Sequence, residues 1–166
     1  AADGRGVWVH DRCGLSVPRQ NGKNAILEAR EVYGMAVIGE RFLHTAHEVK
    51  TARKAFLRLL YFFDNRRQFP DLAALVSDVR RTNGQEAVVL ANGGSVEFVA
   101  HSKGSARGFT VDTVVLDEAQ DLSEESLEAL RSTNSASPQG NPQIIYTGTP
   151  PGPRSDGELF RRYRSG

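Results

Sequence analysis

Thr113-Val114-Val115-Leu116-Asp117-Glu118-Ala119-Gln120 is a short β-branched and apolar run that ends in two adjacent carboxylates. Its first four residues suit a buried strand of a parallel sheet. A buried strand cannot easily hold two charges, so Asp117 and Glu118 belong at its C-terminal tip. Open α/β sheets place their ligands at that edge. Adjacent carboxylates there suit a division of labour, one holding a metal ion and the other orienting water.

Leu116-Asp117-Glu118-Ala119 resembles the Walker B strand of a P-loop nucleotide hydrolase, and that reading requires a phosphate loop (Walker A) upstream. Pro18-Arg19-Gln20-Asn21-Gly22-Lys23-Asn24 is the one good candidate. It follows a short apolar stretch, Leu15 to Val17, and precedes a helix-like run, Ala25 to Val32. Backbone N–H groups of the loop and the helix N-terminus would face the phosphates, with Lys23 reaching the outer ones. The match to G-x-x-x-x-G-K-[ST] is incomplete. Val17 stands in place of the first glycine, and Asn24 in place of the hydroxyl that binds magnesium. Gly22-Lys23 alone reads equally well as a plain turn, and it gains weight from the carboxylate strand downstream.

The 166 residues suffice for one domain with a real core. A net charge of +1 argues neither for nor against nucleic acid, so any DNA contact must come from a local patch. Cys13 is alone, so an intrachain disulfide is impossible; a reduced compartment fits. No apolar stretch is long enough to span a membrane. The start at Ala1-Ala2-Asp3 and the lone Met35 suggest a piece of a longer chain.

Along the chain, Val7-Trp8-Val9 reads as a short strand or a lid over a nucleotide base, with packing the plainer role for Trp8. A helix is expected over 24–33, ending or breaking near Gly34 and Gly39. A strand is expected over 41–46 and an amphipathic helix over 48–63, with Lys50, Arg53, Lys54 and Arg58 on its basic face. That face reads as solvated surface, or as a DNA-backbone or subunit contact. His44 and His47 are too few and too loosely placed for a metal site. A helix is expected after Pro70, from Asp71 to about Arg80, then a hairpin of 86–91 and 95–100 around Asn92-Gly93-Gly94. Residues 101–110 form a loop carrying Arg107. Arginine in such a loop can stabilise charge on a transferring phosphoryl group. A helix to about Thr133, capped by Ser123, a buried strand over 143–147 and a last helix over 158–163 complete the pattern.

Arg19-Gln20-Asn21-Gly22-Lys23, Ala106-Arg107-Gly108, Val115-Leu116-Asp117-Glu118-Ala119 and Thr147-Gly148-Thr149-Pro150, in that order, strongly resemble the N-terminal ATPase domain of the large terminase subunit of tailed phages. The resemblance spans about Leu15 to Pro153. It implies a three-layer α/β P-loop NTPase fold (ASCE/RecA-like), with a mainly parallel central sheet and an added β-hairpin over 86–100. It also implies a single ATPase domain over 1–166, without the family's C-terminal nuclease. Such domains power translocation of genomic DNA into a procapsid. The implied partners are double-stranded DNA, the portal protein, the small terminase subunit and other copies in a ring. The implied location is the host cytoplasm, without membrane association.

The implied cofactors are ATP and Mg2+. Nucleotide contacts fall on Pro18, Arg19, Gln20, Asn21, Gly22, Lys23 and Asn24, with Arg19 also answering to the γ-phosphate. Asp117 matches the magnesium-linked carboxylate, with Asn24 beside it, and Glu118 the general base. Arg107 lies where a finger would reach a neighbouring subunit's ATP. Thr147-Gly148-Thr149 matches the motif that couples hydrolysis to movement. An amide oxygen at Asn24 ligates magnesium less commonly than a hydroxyl, which bears on metal affinity and turnover more than on nucleotide binding. A helicase-like motor and a nucleotide-binding assembly module with little hydrolysis remain as rivals.

Overall fold

The computed structural model describes residues 7–18, 21–100, 108–122 and 124–149. Its centre is a seven-stranded sheet of β1 (Arg12–Ser16), β2 (Arg41–Ala46), β3 (Val76–Arg80), β4 (Glu86–Leu90), β5 (Ser95–Ala100), β6 (Thr113–Leu116) and β7 (Gln143–Gly148). The strands lie in the order β1-β7-β6-β2-β5-β4-β3. The five strands from β1 to β5 in that order are parallel, and β5-β4-β3 is an antiparallel extension. β7 is inserted between the strand that leads into Gly22-Lys23 and the strand that ends at Asp117. The fold is the mixed α/β, mainly parallel P-loop architecture anticipated from the sequence.

Strand alternation explains the three layers. Phe42, Val96, Phe98, Val115 and Ile145 share one core with Leu27, Ala52, Phe56, Leu59, Leu60 and Phe63. Those partners come from α1 (Lys23–Tyr33) and α2 (Val49–Asp64). Intervening strand residues Leu43, Val99, Val114, Leu116, Ile144 and Tyr146 form a second core with Leu127 and Leu130. These leucines belong to a further helix over Glu124–Thr133, numbered α4 below. Each side chain fully buried in this way contributes about 1.5–3 kcal/mol of hydrophobic stabilisation.

The helix expected from Asp71 to about Arg80 is shorter: α3 spans Pro70–Ala74, and Val76–Arg80 forms β3, antiparallel to β4. Leu72, Leu75, Val76 and Val79 fit a helical repeat, which is why the sequence misleads. The open edge of β4 supplies hydrogen-bond partners that local periodicity does not reveal. The hairpin over 86–100 is present, and β3 adds a third strand with a register shift between Val76 and Asp78.

The break after α1 is a π-helical turn over Gly34–Ile38, ended by Gly39 at φ 80°. Gly94 packs flat against it, and any Cβ there would collide with the Met35 backbone. Trp8 does not lie over a base. Its Nε1–H donates to Glu40 at 2.9 Å, and the Arg30 guanidinium lies 4.2 Å from its ring centroid. Arg30 in turn pairs with Glu40 at 2.6 Å and donates to Gln143 at 3.1 Å. Glu40 precedes β2 and Gln143 starts β7, so Trp8 sits at the strands' N-terminal edge, opposite the phosphate loop. Packing is therefore its role.

Candidate functional site

β1, β7, β6 and β2 end together at the C-terminal edge of the sheet. The chain leaves β1 through 17–22 and enters α1 at Lys23. Gly22, at φ 77° and ψ 8°, is the residue before the helix, a backbone region that glycine occupies without steric cost. Among the described residues no side-chain hydrogen bond caps this end, which leaves first-turn N–H groups and the helix dipole open to an anion. Asn21 and Pro18 are exposed in the same turn. Arg19 and Gln20 lie outside the described residues, as does Arg107.

Lys23 folds back onto the strand tips, where its Nζ lies 2.7 Å from Asp117 Oδ1. The same oxygen accepts a hydrogen bond from Thr147 Oγ1 at 2.7 Å and one from the Glu118 N–H at 3.0 Å. The first residue of α1, the tip of β6 and a residue of β7 therefore meet at one atom. Asp117 is 5% exposed and Thr147 0% exposed, so these bonds are shielded from water. Burial alone would raise the pKa of Asp117. The Lys23 hydrogen bond, the nearby His44 charge and the Thr147 hydroxyl outweigh it and hold the carboxyl below the usual aspartate value.

Glu118 is half-buried and follows directly. Its backbone sits at φ 57° and ψ 44°, making it the one non-glycine residue with positive φ among those described. The chain turns there from β6 into a 3-10 turn over Ala119–Asp121. Left-handed backbone at a side chain such as glutamate is strained, and such strain concentrates at functional positions. Gly148 ends β7 after Thr147, and its carbonyl accepts from the Val17 N–H at 3.2 Å, joining β7 to the residue that follows β1.

A cavity of about 130 Å³ opens beside Asp117 between α1 and α2. Asn24, Glu31, His44, Thr51 and Lys54 are among the residues that line it. His44, read from sequence only as too loosely placed for a metal site, is 3% exposed, and its Nδ1 lies 2.5 Å from Glu31 Oε1. Burial opposes charge on this imidazole and Lys23 adds to that opposition. The Glu31 carboxylate, with help from Asp117, wins and lifts the pKa above the ordinary histidine value.

The donor set fits a magnesium ion shared with a nucleotide. Asp117 offers one carboxylate, and Asn24, lining the same cavity, an amide oxygen. Among the described residues no cluster of three or more His, Cys, Asp or Glu side chains is placed to hold a metal. Magnesium bound through one or two protein oxygens, with phosphates and waters completing the octahedron, needs no such cluster.

No family model and no curated protein matches the chain. Solved structures do. The large terminase of bacteriophage HK97 matches with a TM-score of 0.71 at 16% identity, covering 87% of this chain and 30% of that one. The large terminase ATPase domain of Thermus phage P74-26 matches with a TM-score of 0.63 at 21% identity, covering 85% of this chain and 60% of that one. The large terminase of a thermophilic bacteriophage, in complex with ADP, gives 0.64 at 14% identity, over 90% of this chain and 36% of that one. This chain thus spans about a third of the HK97 protein and of the ADP-bound one. The fold is the one these phage terminases carry.

Proposed function

We propose that the domain hydrolyses ATP with magnesium and acts as the motor of a viral DNA-packaging terminase. The observation that carries this reading is the convergence of Lys23, Thr147 and the Glu118 backbone on Asp117, at the edge where a nucleotide's phosphates would meet the start of α1. The thermophilic-phage terminase in complex with ADP supports it, since that fold accommodates a nucleotide.

Lys23 and the N-terminus of α1 neutralise charge on the phosphates. Arg19 adds to them at the γ-phosphate. Asp117 and Asn24 would hold Mg2+, which when bound would supply electrostatic stabilisation of the transferring phosphoryl group. Glu118 accepts the proton of the attacking water and orients it in line with the leaving group. Loss of the γ-phosphate changes the charge facing Lys23 and Asp117. Thr147, bonded to Asp117 and continuous with Gly148 and Thr149, passes that change into β7 and the phosphate-loop strand. Arg107 completes the site, in the same subunit or from a neighbour in a ring. DNA, portal protein and small terminase subunit are the partners of the assembled motor, in the host cytoplasm. None of the described helices is long and apolar enough to cross a membrane.

Steady-state ATP hydrolysis over a range of protein concentrations, with wild type, Lys23→Ala, Glu118→Gln and Arg107→Ala, tests the reading. Magnesium-dependent turnover that Lys23→Ala and Glu118→Gln abolish supports it. A rise in activity per molecule with concentration, lost in Arg107→Ala, places the arginine in trans. Tight ATP binding with no turnover at any concentration favours the assembly-module rival.

A further inference from the structure

The His44–Glu31 pair is unusual for where it lies. Glu31 is eight residues along α1 from Lys23, on the same buried face as Leu27, two turns below the phosphate-binding end. His44 is on β2 opposite Val115 of β6, and Asp117 follows Val115 by two residues. Alternation therefore brings His44 and Asp117 to the same face of the sheet. Both members of the pair are almost fully buried, at 3% and 1% exposure, and both line the cavity that Asp117 and Asn24 share. Nε2 of His44 is buried and has no hydrogen-bond partner among the described residues.

Packing alone does not require an ion pair here. Phe98 stacks on the His44 ring at 5.0 Å and Leu27 is in the same core, so two apolar side chains would fill the space at lower desolvation cost. What the pair adds is a directional link. Two pairs tie α1 to the sheet: Glu31 meets His44 on β2, and Lys23 meets Asp117 at the tip of β6. Bonds to two neighbouring strands near both ends of one face restrain α1 against sliding or rotating relative to the strand tips.

We propose that His44 and Glu31 are positioning residues of the nucleotide site, fixing α1 against β2 so that Lys23 and Asp117 keep their mutual geometry during turnover. The kinetic consequence rests on the ATPase reading; the geometric one does not. An error of about 1 Å in such a site costs up to 10²-fold in rate. It does so mainly in kcat when ground-state nucleotide contacts survive.

The test compares wild type, His44→Gln and Glu31→Gln with Glu86→Gln as control. Glu86 is an equally buried carboxylate, paired with Arg53 at 3.3 Å on the far side of α2. The expected result is a fall in kcat of at least tenfold for His44→Gln and Glu31→Gln, with KM for ATP within threefold of wild type. Glu86→Gln is expected to lose stability yet keep kcat within twofold. Unchanged kcat in the folded pair variants, or an equal fall in Glu86→Gln, overturns the proposal. If wild type shows no turnover above Glu118→Gln, the ATPase reading fails, and the geometric claim is decided by denaturant unfolding. There, His44→Gln and Asp117→Asn combined should depart from additivity by at least threefold in the folding constant. Additive effects overturn it.

Discussion

Replacing Glu118 by glycine should stabilise the protein while abolishing its activity. The residue sits at φ 57° and ψ 44°, where a Cβ crowds the following carbonyl oxygen. That conformation costs an ordinary residue roughly 1–2 kcal/mol. Glycine escapes the clash but adds unfolded-state freedom worth about 0.4–1 kcal/mol in the opposite direction. The balance favours glycine by about 1 kcal/mol, or a rise of roughly 2–4 °C in Tm for a chain of this size. Glu118→Ala is the control, since it removes the same carboxylate and keeps the Cβ. Guanidinium unfolding of wild type and both variants should therefore rank Gly above Ala by about that margin. Both variants should lack ATP hydrolysis. Glycine no more stable than alanine would mean that the turn carries no stored strain, and the link between strain and function at this position would fall.

Gly94→Ala should lose about 1–3 kcal/mol in the same assay, because the new methyl meets the backbone of Met35, which cannot swing aside as a side chain would. Thr147→Val removes a charge-assisted hydrogen bond to Asp117 at 2.7 Å while conserving shape, so stability at neutral pH should fall by about 1.5–3 kcal/mol. A loss below about 0.5 kcal/mol would show that the bond is not made in solution.

Stability of the nucleotide-free protein in chelator should depend on pH on two sides. His44 faces Glu31, Asp117 and Lys23, and its pKa is raised above 6.5. Its contribution is full below 6.5 and is lost as pH climbs through the raised value. Asp117 is lowered below 3.8, so its contribution is full above 3.8 and is lost as pH falls through the lowered value. His44→Gln should flatten the alkaline side and weaken the acid side without abolishing it, because the His44 charge is one cause of the lowered Asp117 pKa while the Lys23 and Thr147 hydrogen bonds remain.

The carboxylate strand was legible because a buried strand must end where charge begins. The strands over 41–46, 113–116 and 143–147 were legible as apolar runs, whereas β1 showed only as the short stretch Leu15 to Val17 and β5 only as half of a hairpin, because its parallel pairing with β2 is non-local. Val76–Arg80 was not legible, since its apolar spacing serves a helix as well as an edge strand, and the free edge of β4 decided between them. Trp8 was read correctly as packing, but its partners Arg30 and Glu40 are distant in sequence and no local pattern announces them. The His44–Glu31 pair was missed for the same reason. Two signals were present: Glu31 shares a helix face with Lys23, and His44 alternates with Phe42 and Ala46 on an inward face. Only the β2–β6 register brings them to Asp117.

The central claim is that convergence on Asp117 makes an ATP-hydrolysing site. Its most direct test is phosphate release from ATP and Mg2+ by wild type and Glu118→Gln, across protein concentrations at which a neighbour could contribute Arg107. The account predicts magnesium-dependent turnover by wild type that exceeds Glu118→Gln by at least 10²-fold. Equal rates for the two proteins at every concentration would contradict it.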